Sequence, residues 1–385
     1  MGTFKIIIFQ PCVPTYRVGL FEGLGRIYGS RLKVVAGPFF NKDVPCCPLR
    51  GVRTDYAHPI RDIGGIRLQK GLSLKGLGKG DVVVICGEPR NLSMMGLALR
   101  ARLRGIGVLW WGHHKTATSK PWRIAIRLFL TRLLSNDVLC YTSAGARWMV
   151  DHGFDKDHVF ATGNTIDALP IKDAIAKWTP AKLATFQEAN GLVGKKVLVF
   201  CSTLRPKVRL DVLLRALVAG RLAARDDIVL AVIGSGEKEA EYRQLAHDLG
   251  VASRVCWLGA MQDQNAMAPW FLSAKLFVYP GSIGLSILHA FNYGLPVITH
   301  GNAAHQMPEF EAMADGKNGL CFKEGDAADL AEKILSVVDD DQKLAFMSMN
   351  ALETASHYTI DQMVANFAEA IEATRRDVQP TAGVR

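Results

Sequence analysis

The sequence predicts an α/β protein built from two doubly wound parallel-sheet domains. Three observations carry that expectation. The chain has 385 residues, past the size at which one hydrophobic core keeps growing. Short β-branched runs alternate with segments of helical periodicity, the pattern of a parallel sheet with helices on its faces. The alternation then starts afresh at Lys195, after a polar stretch carrying Pro170 and Pro180.

Element by element, FKIIIF leads into the helix GLFEGLGRIY, LKVVAG follows as a strand, and DVVVICG leads into MMGLALRARLRG. GVLWWG precedes a long helix, DVLCYTS precedes GARWMVDHG, and VFATGN closes a first domain placed at residues 1–168. Residues 169–194 read as an interdomain connection. In the second domain, residues 195–358, KKVLVFCS leads into LDVLLRALVAG and DIVLAVIGSG into EAEYRQLAHDLG. VCWLG, KLFVYPG with the helix SILHAFNYG, PVITHG, GLCF and the helix DLAEKILSVV complete it. A last helix, residues 359–375, is expected to pack back on the first domain. Because open parallel sheets bind ligands beyond the carboxyl ends of their strands, the expectation is two Rossmann-like domains facing across a cleft.

Composition narrows the function less than the fold. Hydrophobic residues at 49% and charged residues at 21% describe a globular chain rather than a disordered one. The 46 Lys and Arg against 36 Asp and Glu give a net charge of +10, which favours a polyanionic partner. Nucleic acid, an anionic membrane and a phosphorylated substrate all satisfy that, but no aromatic and basic nucleic-acid module is present, so nucleic acid is not expected as a partner. The eight cysteines include no C-x-x-C pair and several sit in apolar runs, as expected of reduced, mostly buried thiols. KIIIF is too short for the apolar core of a signal peptide, and no run of 18 apolar residues occurs. A cytoplasmic protein is expected, at most peripheral on the inner face of the cell membrane.

The chemistry concentrates in VYPGSIGLSILHAFNYGLPVITHG. A strand ends at Tyr279, a turn holds Gly281, Ser282 and Gly284, and Leu285 and Ser286 open an apolar helix stopped by Gly294 and Pro296. Glycines ahead of a helix let backbone approach an anion, and the free N–H groups with the helix dipole favour negative charge there. A diphosphate fits this turn. Upstream, VIGSGEKEAEYRQLAHDLGVASRVCWLG sets a strand, a Gly-x-Gly turn, a helix and a strand in sequence.

With GLSILHAFNYGLPVITHG, the MPE at 307–309 and DGKNGLCF, this run resembles the retaining glycosyltransferases of family 4, the glycosyl transferases group 1, which have the GT-B fold. The resemblance covers much of Lys195 to Val338; the first half shares mainly the strand and helix rhythm and WGHH at 111–114. It implies a donor site formed by Gly281, Ser282, Gly284, Leu285, Ser286, His289 and Glu309. Two departures stand out. The family's pair of glutamates, with seven residues between them, falls on Gly281 and His289, so His289 takes the place of a ribose-binding carboxylate. In CSTLRPKVRLDVLL, the family's arginine and lysine fall on Thr203 and Val208, with Arg205, Lys207 and Arg209 beside them. Those three cations are candidates for stabilising a departing diphosphate, against the alternative of a solvated basic turn.

Cations and helix N–H groups can stabilise a phosphate leaving group without a metal, and the resemblance likewise implies metal independence and no cofactor beyond the nucleotide-diphosphate sugar. It also implies that His113, in WGH spacing, contacts the transferred sugar. His114, and the loop residues Tyr16, Arg17, Glu88 and Arg90, are candidates for binding a saccharide or lipid-linked saccharide acceptor. Residues 120–134, KPWRIAIRLFLTRLL, combine three arginines with an apolar face and suit an anionic lipid surface as well as they suit a helix packed on the sheet. Polysaccharide or glycolipid biosynthesis is the implied setting. A non-catalytic nucleotide-sugar-binding protein and a GT-B-fold sugar-nucleotide 2-epimerase are the alternatives. An NAD-dependent dehydrogenase is disfavoured, because neither FQPCVP nor FCSTLR supplies the G-x-G-x-x-G fingerprint.

Overall fold

The structure is a computed structural model describing residues 4–40, 44–112 and 120–378. The chain divides into two units, Met1–Thr165 with Ile360–Arg385, and Ile166–Thr359.

The first unit is built on seven parallel strands: β1 (Ile6–Gln10), β2 (Leu32–Ala36), β3 (Arg53–Tyr56), β4 (Val82–Cys86), β5 (Gly107–Gly112), β6 (Asp137–Cys140) and β7 (Val159–Ala161). They lie in the order β7-β6-β5-β4-β1-β2-β3. Both faces are covered, which is why the central strands are apolar without a break. Ile6, Ile8, Val82 and Val84 point into one core with α1 (Val18–Tyr28), while Ile7, Phe9, Val83 and Ile85 point into another. The second core takes the inner faces of α2 (Leu92–Leu103), α3 (Pro121–Leu134) and α4 (Ser143–Asp151). Strand β3 has no apolar run, since RTDY sits at the sheet edge with no fully buried residue, and so it escapes a reading of hydrophobic pattern. Arg61–Ile63 and Ile66–Leu68 add an antiparallel pair.

The second unit has six parallel strands: β8 (Lys196–Cys201), β9 (Ile228–Ile233), β10 (Val255–Gly259), β11 (Ala274–Tyr279), β12 (Val297–His300) and β13 (Gly319–Phe322). Their order is β10-β9-β8-β11-β12-β13. The stretch read as a connection forms α5 (Leu169–Ala176) and α6 (Pro180–Ala189), and Ile171 and Ala174 of α5 are buried in this unit's core. Next come α7 (Leu210–Ala216), α8 (Glu239–Asp248) and α9 (Gln264–Ser273), which tolerates Pro269 inside it. The remaining helices of the unit are α10 (Ser286–Asn292), α11 (Ala327–Val338) and α12 (Asp341–Ser356).

The last helix, α13 (Ile360–Val378), belongs to the first unit. It buries Met363, Val364, Phe367, Ala370 and Ile371 against α1 and the sheet. Gly23 of α1 permits the close approach: a Cβ there would lie 2.4 Å from Val364 Cγ2. All eight cysteines are free thiols; Cys12 and Cys140 are buried and the other six half-buried, fewer than the sequence suggested.

Candidate functional site

In a doubly wound sheet the binding crevice opens where successive connections leave to opposite sides. In the second unit that point is between β8 and β11, and the loops following these two strands are the basic turn and the glycine turn. The structure brings them together. Ser282 N donates to Lys207 O at 3.3 Å, and a Cβ at Gly281 would fall 2.1 Å from Lys207 O and 2.8 Å from Val208 Cα. Packing against residues 206–208 therefore excludes any side chain at position 281, a physical account of the glycine standing where the family carries a glutamate.

The glycine turn is rigidly held. Ile283 N donates to Gln306 Oε1 at 2.7 Å, and Gln306 Nε2 donates to Thr299 Oγ1 at 3.0 Å and His300 O at 2.8 Å. The Ser282 hydroxyl donates to His305 O. Helix α10 then begins with no side chain capping its N-terminus; the Ile287 N–H is taken by Gly284 O at 3.1 Å, and the N–H groups ahead of it face the turn without a side-chain cap. Leu285 and Ser286, at that N-terminus, are half-buried. A Cβ at Gly284 would sit 3.7 Å from Glu309 Oε2, so the buried carboxylate of Glu309 lies beside this turn. Gln306 is the clamp that sequence reading missed; its one signal is its place immediately before MPE.

His289 faces the other way. Its Nε2 lies 3.0 Å from Gln264 Oε1, which also accepts from the Tyr293 hydroxyl at 3.1 Å, and its ring stands edge-on to Phe271. Burial pushes its pKa down to about 4, so the imidazole is neutral and donates to Gln264. Of the three cations, Arg209 adopts a left-handed backbone (φ 53°) and is paired through two N–H groups with Asp211, both at 3.1 Å. Lys207 is exposed, and the backbone carbonyl of Arg205 accepts from the Tyr242 hydroxyl at 3.2 Å.

The first unit repeats the geometry. Its switch point lies between β1 and β4, and the following loops carry Tyr16 with Arg17 and Glu88 with Arg90. Arg90 pairs with Glu88 at 3.1 Å and Arg67 approaches the same carboxylate at 3.5 Å. Burial pushes that carboxyl up, but Arg90, Arg127 and Arg67 outweigh it and hold it below the usual carboxylate range. Arg17 is buried, its guanidinium centre 4.1 Å from the Trp111 ring, 5.3 Å from Tyr141 and 5.7 Å from Tyr16. Trp111 and Tyr141 were absent from the sequence-based candidates, because only the fold lays them over residue 17. His113 and His114 lie outside the described residues.

Two parallel-sheet units of this kind define the GT-B fold. Solved structures agree on it: Anabaena HepE in complex with UDP superposes with a TM-score of 0.71 at 15% identity, over 96% of this chain and 100% of that one. The lipopolysaccharide outer core galactosyltransferase WaaB, apo form, gives 0.66 at 13% identity, over 96% of this chain and 99% of that one. Residues 195–340 match the model of the family Glycosyl transferases group 1.

Curated relatives include the D-inositol 3-phosphate glycosyltransferase of Nocardia farcinica, 27% identical over 60% of this chain and 51% of that protein. The GDP-mannose-dependent monoacylated α-(1-6)-phosphatidylinositol monomannoside mannosyltransferase of Corynebacterium glutamicum is 30% identical over 49% and 51%, respectively. The lipopolysaccharide core biosynthesis glycosyltransferase LpsE of Rhizobium meliloti is 31% identical over 33% and 36%. The chain spans about half the length of the first curated relatives it matches.

Proposed function

We propose that this protein is a retaining, metal-independent glycosyltransferase that moves a sugar from a nucleotide-diphosphate sugar to a glycan or lipid-linked saccharide in polysaccharide or glycolipid biosynthesis. One observation carries the reading: an uncapped helix N-terminus and a cationic turn meet at the switch point of the second unit. When the anomeric C–O bond breaks, negative charge grows on the leaving diphosphate, and stabilising that charge is the main demand on the enzyme. The N–H groups of α10 and the side chains of Arg205 and Lys207 supply it, with Arg209 holding the shape of the turn through Asp211. Glu309 is assigned to the donor's hydroxyls, and His113 to the transferred sugar near the reacting centre. His289 contributes by fixing α10 against α9, a change from the ribose contact that its place in the motif implies.

The relatives' names support a saccharide or glycolipid acceptor, and UDP in the HepE structure supports a nucleotide donor. The test is a thermal-shift screen of nucleoside diphosphates and nucleotide sugars, followed by acceptor-dependent release of the diphosphate in EDTA. Silence across uridine and guanosine donors would falsify the donor assignment. Binding without transfer or hydrolysis would leave a nucleotide-sugar binder instead. Product of inverted anomeric configuration would remove the retaining assignment.

A membrane-peripheral location on the cytoplasmic side is part of the proposal. Trp122, Ile126, Phe129 and Leu133 form an exposed stripe along α3, opposite Leu128 and Leu134, which face the core. Arg123 and Arg132 flank that stripe, one on each side. Helix α2, in contact with α3, exposes Leu92, Leu99 and Leu103 between Arg100 and Arg102. From Pro89 to Asn136 the sequence holds nine Lys or Arg and no Asp or Glu. An apolar surface with a purely basic fringe suits anionic lipid. Among the described residues no helix is long and apolar enough to cross a membrane. Replacing Arg123 and Arg132 with Glu is expected to abolish binding to phosphatidylglycerol vesicles; undiminished binding would count against this location.

A further inference from the structure

Arg17 is an expensive residue to keep. It is only 7% exposed, and its Nη1 has no hydrogen-bond partner. Trp111, 1% exposed, likewise has its indole N–H unpaired, and the guanidinium lies over that same ring at 4.1 Å. Both groups are donors only, so neither can satisfy the other. The rings of Trp111, Tyr141 and Tyr16 lie close to the cation and the hydroxyls of Tyr141 and Tyr16 accept hydrogen bonds from it, but Nη1 stays without a partner and among the described residues no carboxylate pairs with it. Glu88, on the loop after β4, is taken by Arg90 and Arg67. A buried cation beside a second unpaired donor is strongly unfavourable unless an acceptor of opposite charge arrives. Arg17 follows β1, which flanks the first unit's switch point, and Trp111 stands near the carboxyl end of β5, the strand next to β4, at the end of the sheet where this kind of fold binds ligands; Tyr16, at 41% exposure, is the exposed member of the cluster.

We infer that the guanidinium of Arg17 and the indole N–H of Trp111 form an oxyanion subsite in the first unit that takes a phosphate monoester or carboxylate carried by the acceptor. The inference rests on the glycosyl-transfer reading for the word acceptor, though not for the anion site itself. The ligand's oxygens replace the missing hydrogen-bond acceptors, and Arg17 is suited to a planar two-oxygen contact.

The experiment titrates the full chain with inorganic phosphate, with glucuronate and, separately, with nucleoside diphosphates, following tryptophan fluorescence and melting temperature. The variants are Arg17→Met, Arg17→Lys and Trp111→Phe. Saturable binding of phosphate or glucuronate is expected, the tighter of the two naming the acceptor's anion. Arg17→Met should weaken it at least tenfold, Arg17→Lys less, with nucleoside diphosphate affinity unchanged and the melting temperature of the unliganded protein not lowered. A structural cation held only by its aromatic neighbours predicts the reverse: a lower melting temperature in Arg17→Met and no anion binding that depends on Arg17. That result overturns the inference, as does equal anion affinity in wild type and Arg17→Met. Should Arg17→Met not fold, Trp111→Phe keeps a ring under the guanidinium and removes only the donor; unchanged anion affinity there also overturns it. Arg17-dependent phosphate binding in a protein that binds no nucleotide supports the subsite and defeats the transfer reading, so the two fail separately.

Discussion

Gly281 and Gly284 stand three residues apart in one turn, yet they have different physical jobs. At Gly281 any Cβ meets backbone at 2.1 Å, whereas at Gly284 the nearest atoms, Glu309 Oε2 and Met307 Cγ, lie 3.7 Å away in ordinary contact. Gly281→Ala is expected to cost roughly 2–3 kcal/mol of stability through forced displacement of the 206–208 turn. Gly284→Ala should leave the melting temperature near wild type and weaken nucleotide binding by crowding the approach to α10, a contrast that paired thermal melts and titrations check. His289 makes a second prediction. Its folded pKa is lowered to about 4 by burial, below the 6.5 of a free histidine, so its contribution is complete above pH 6.5 and is lost as the pH falls towards 4. His289→Gln, which preserves a hydrogen bond to Gln264, should remove that acid loss, on the order of 2 kcal/mol, measured as unfolding free energy between pH 4 and pH 7.

Helix α13 shows how an element far along the chain is held by chemistry as well as packing. Near its C-terminal end Asp377 reaches His158 Nδ1 at 3.1 Å, and the same nitrogen lies 2.9 Å from Asp137 Oδ1 at the start of β6. Burial pushes the Asp137 carboxyl up to about 6, and the hydrogen bond that His158 donates to Asp137 raises the His158 pKa above its ordinary value. Both shifts mean that the folded state binds protons more tightly than the unfolded one, so the anchor is strongest at acid pH and weakens as pH rises through 6 and beyond. Amide exchange in the last turns of α13 is expected to lose protection between pH 5 and pH 8 beyond the intrinsic rate change, and Asp137→Asn should flatten that dependence. Sequence periodicity placed α13, since Met363, Val364, Phe367, Ala370 and Ile371 repeat at helical spacing. It missed α9 and α12: Pro269 interrupts the first, and the second keeps Phe346, Met349 and Leu352 exposed beside a narrow buried stripe of Leu344, Met347, Ala351 and Ala355.

At the scale of the molecule the two units differ in how they are assembled from the chain. The second is continuous, Ile166–Thr359, with its own core, and is predicted to fold when expressed alone and to bind the same nucleoside diphosphate as the full chain. The first is completed by α13, whose five apolar residues in the shared core contribute about 7–10 kcal/mol of burial, comparable with the whole net stability of a domain. Truncation at residue 165 should therefore give a protein without a cooperative melt, recovered by supplying 360–385 through a linker. What the sequence by itself determined is the repeated strand and helix rhythm and the glycine turn before α10, because hydrophobic period and backbone freedom are local properties written into neighbouring residues. Only the tertiary structure decided that position 281 has no room for a carboxylate, that His289 turns to Gln264, and that Arg17 lies over Trp111 with its Nη1 unpaired. Those facts depend on atoms brought together from loops up to about ninety residues apart, and the distance across a fold is set by how the sheets order their strands, which no local pattern records.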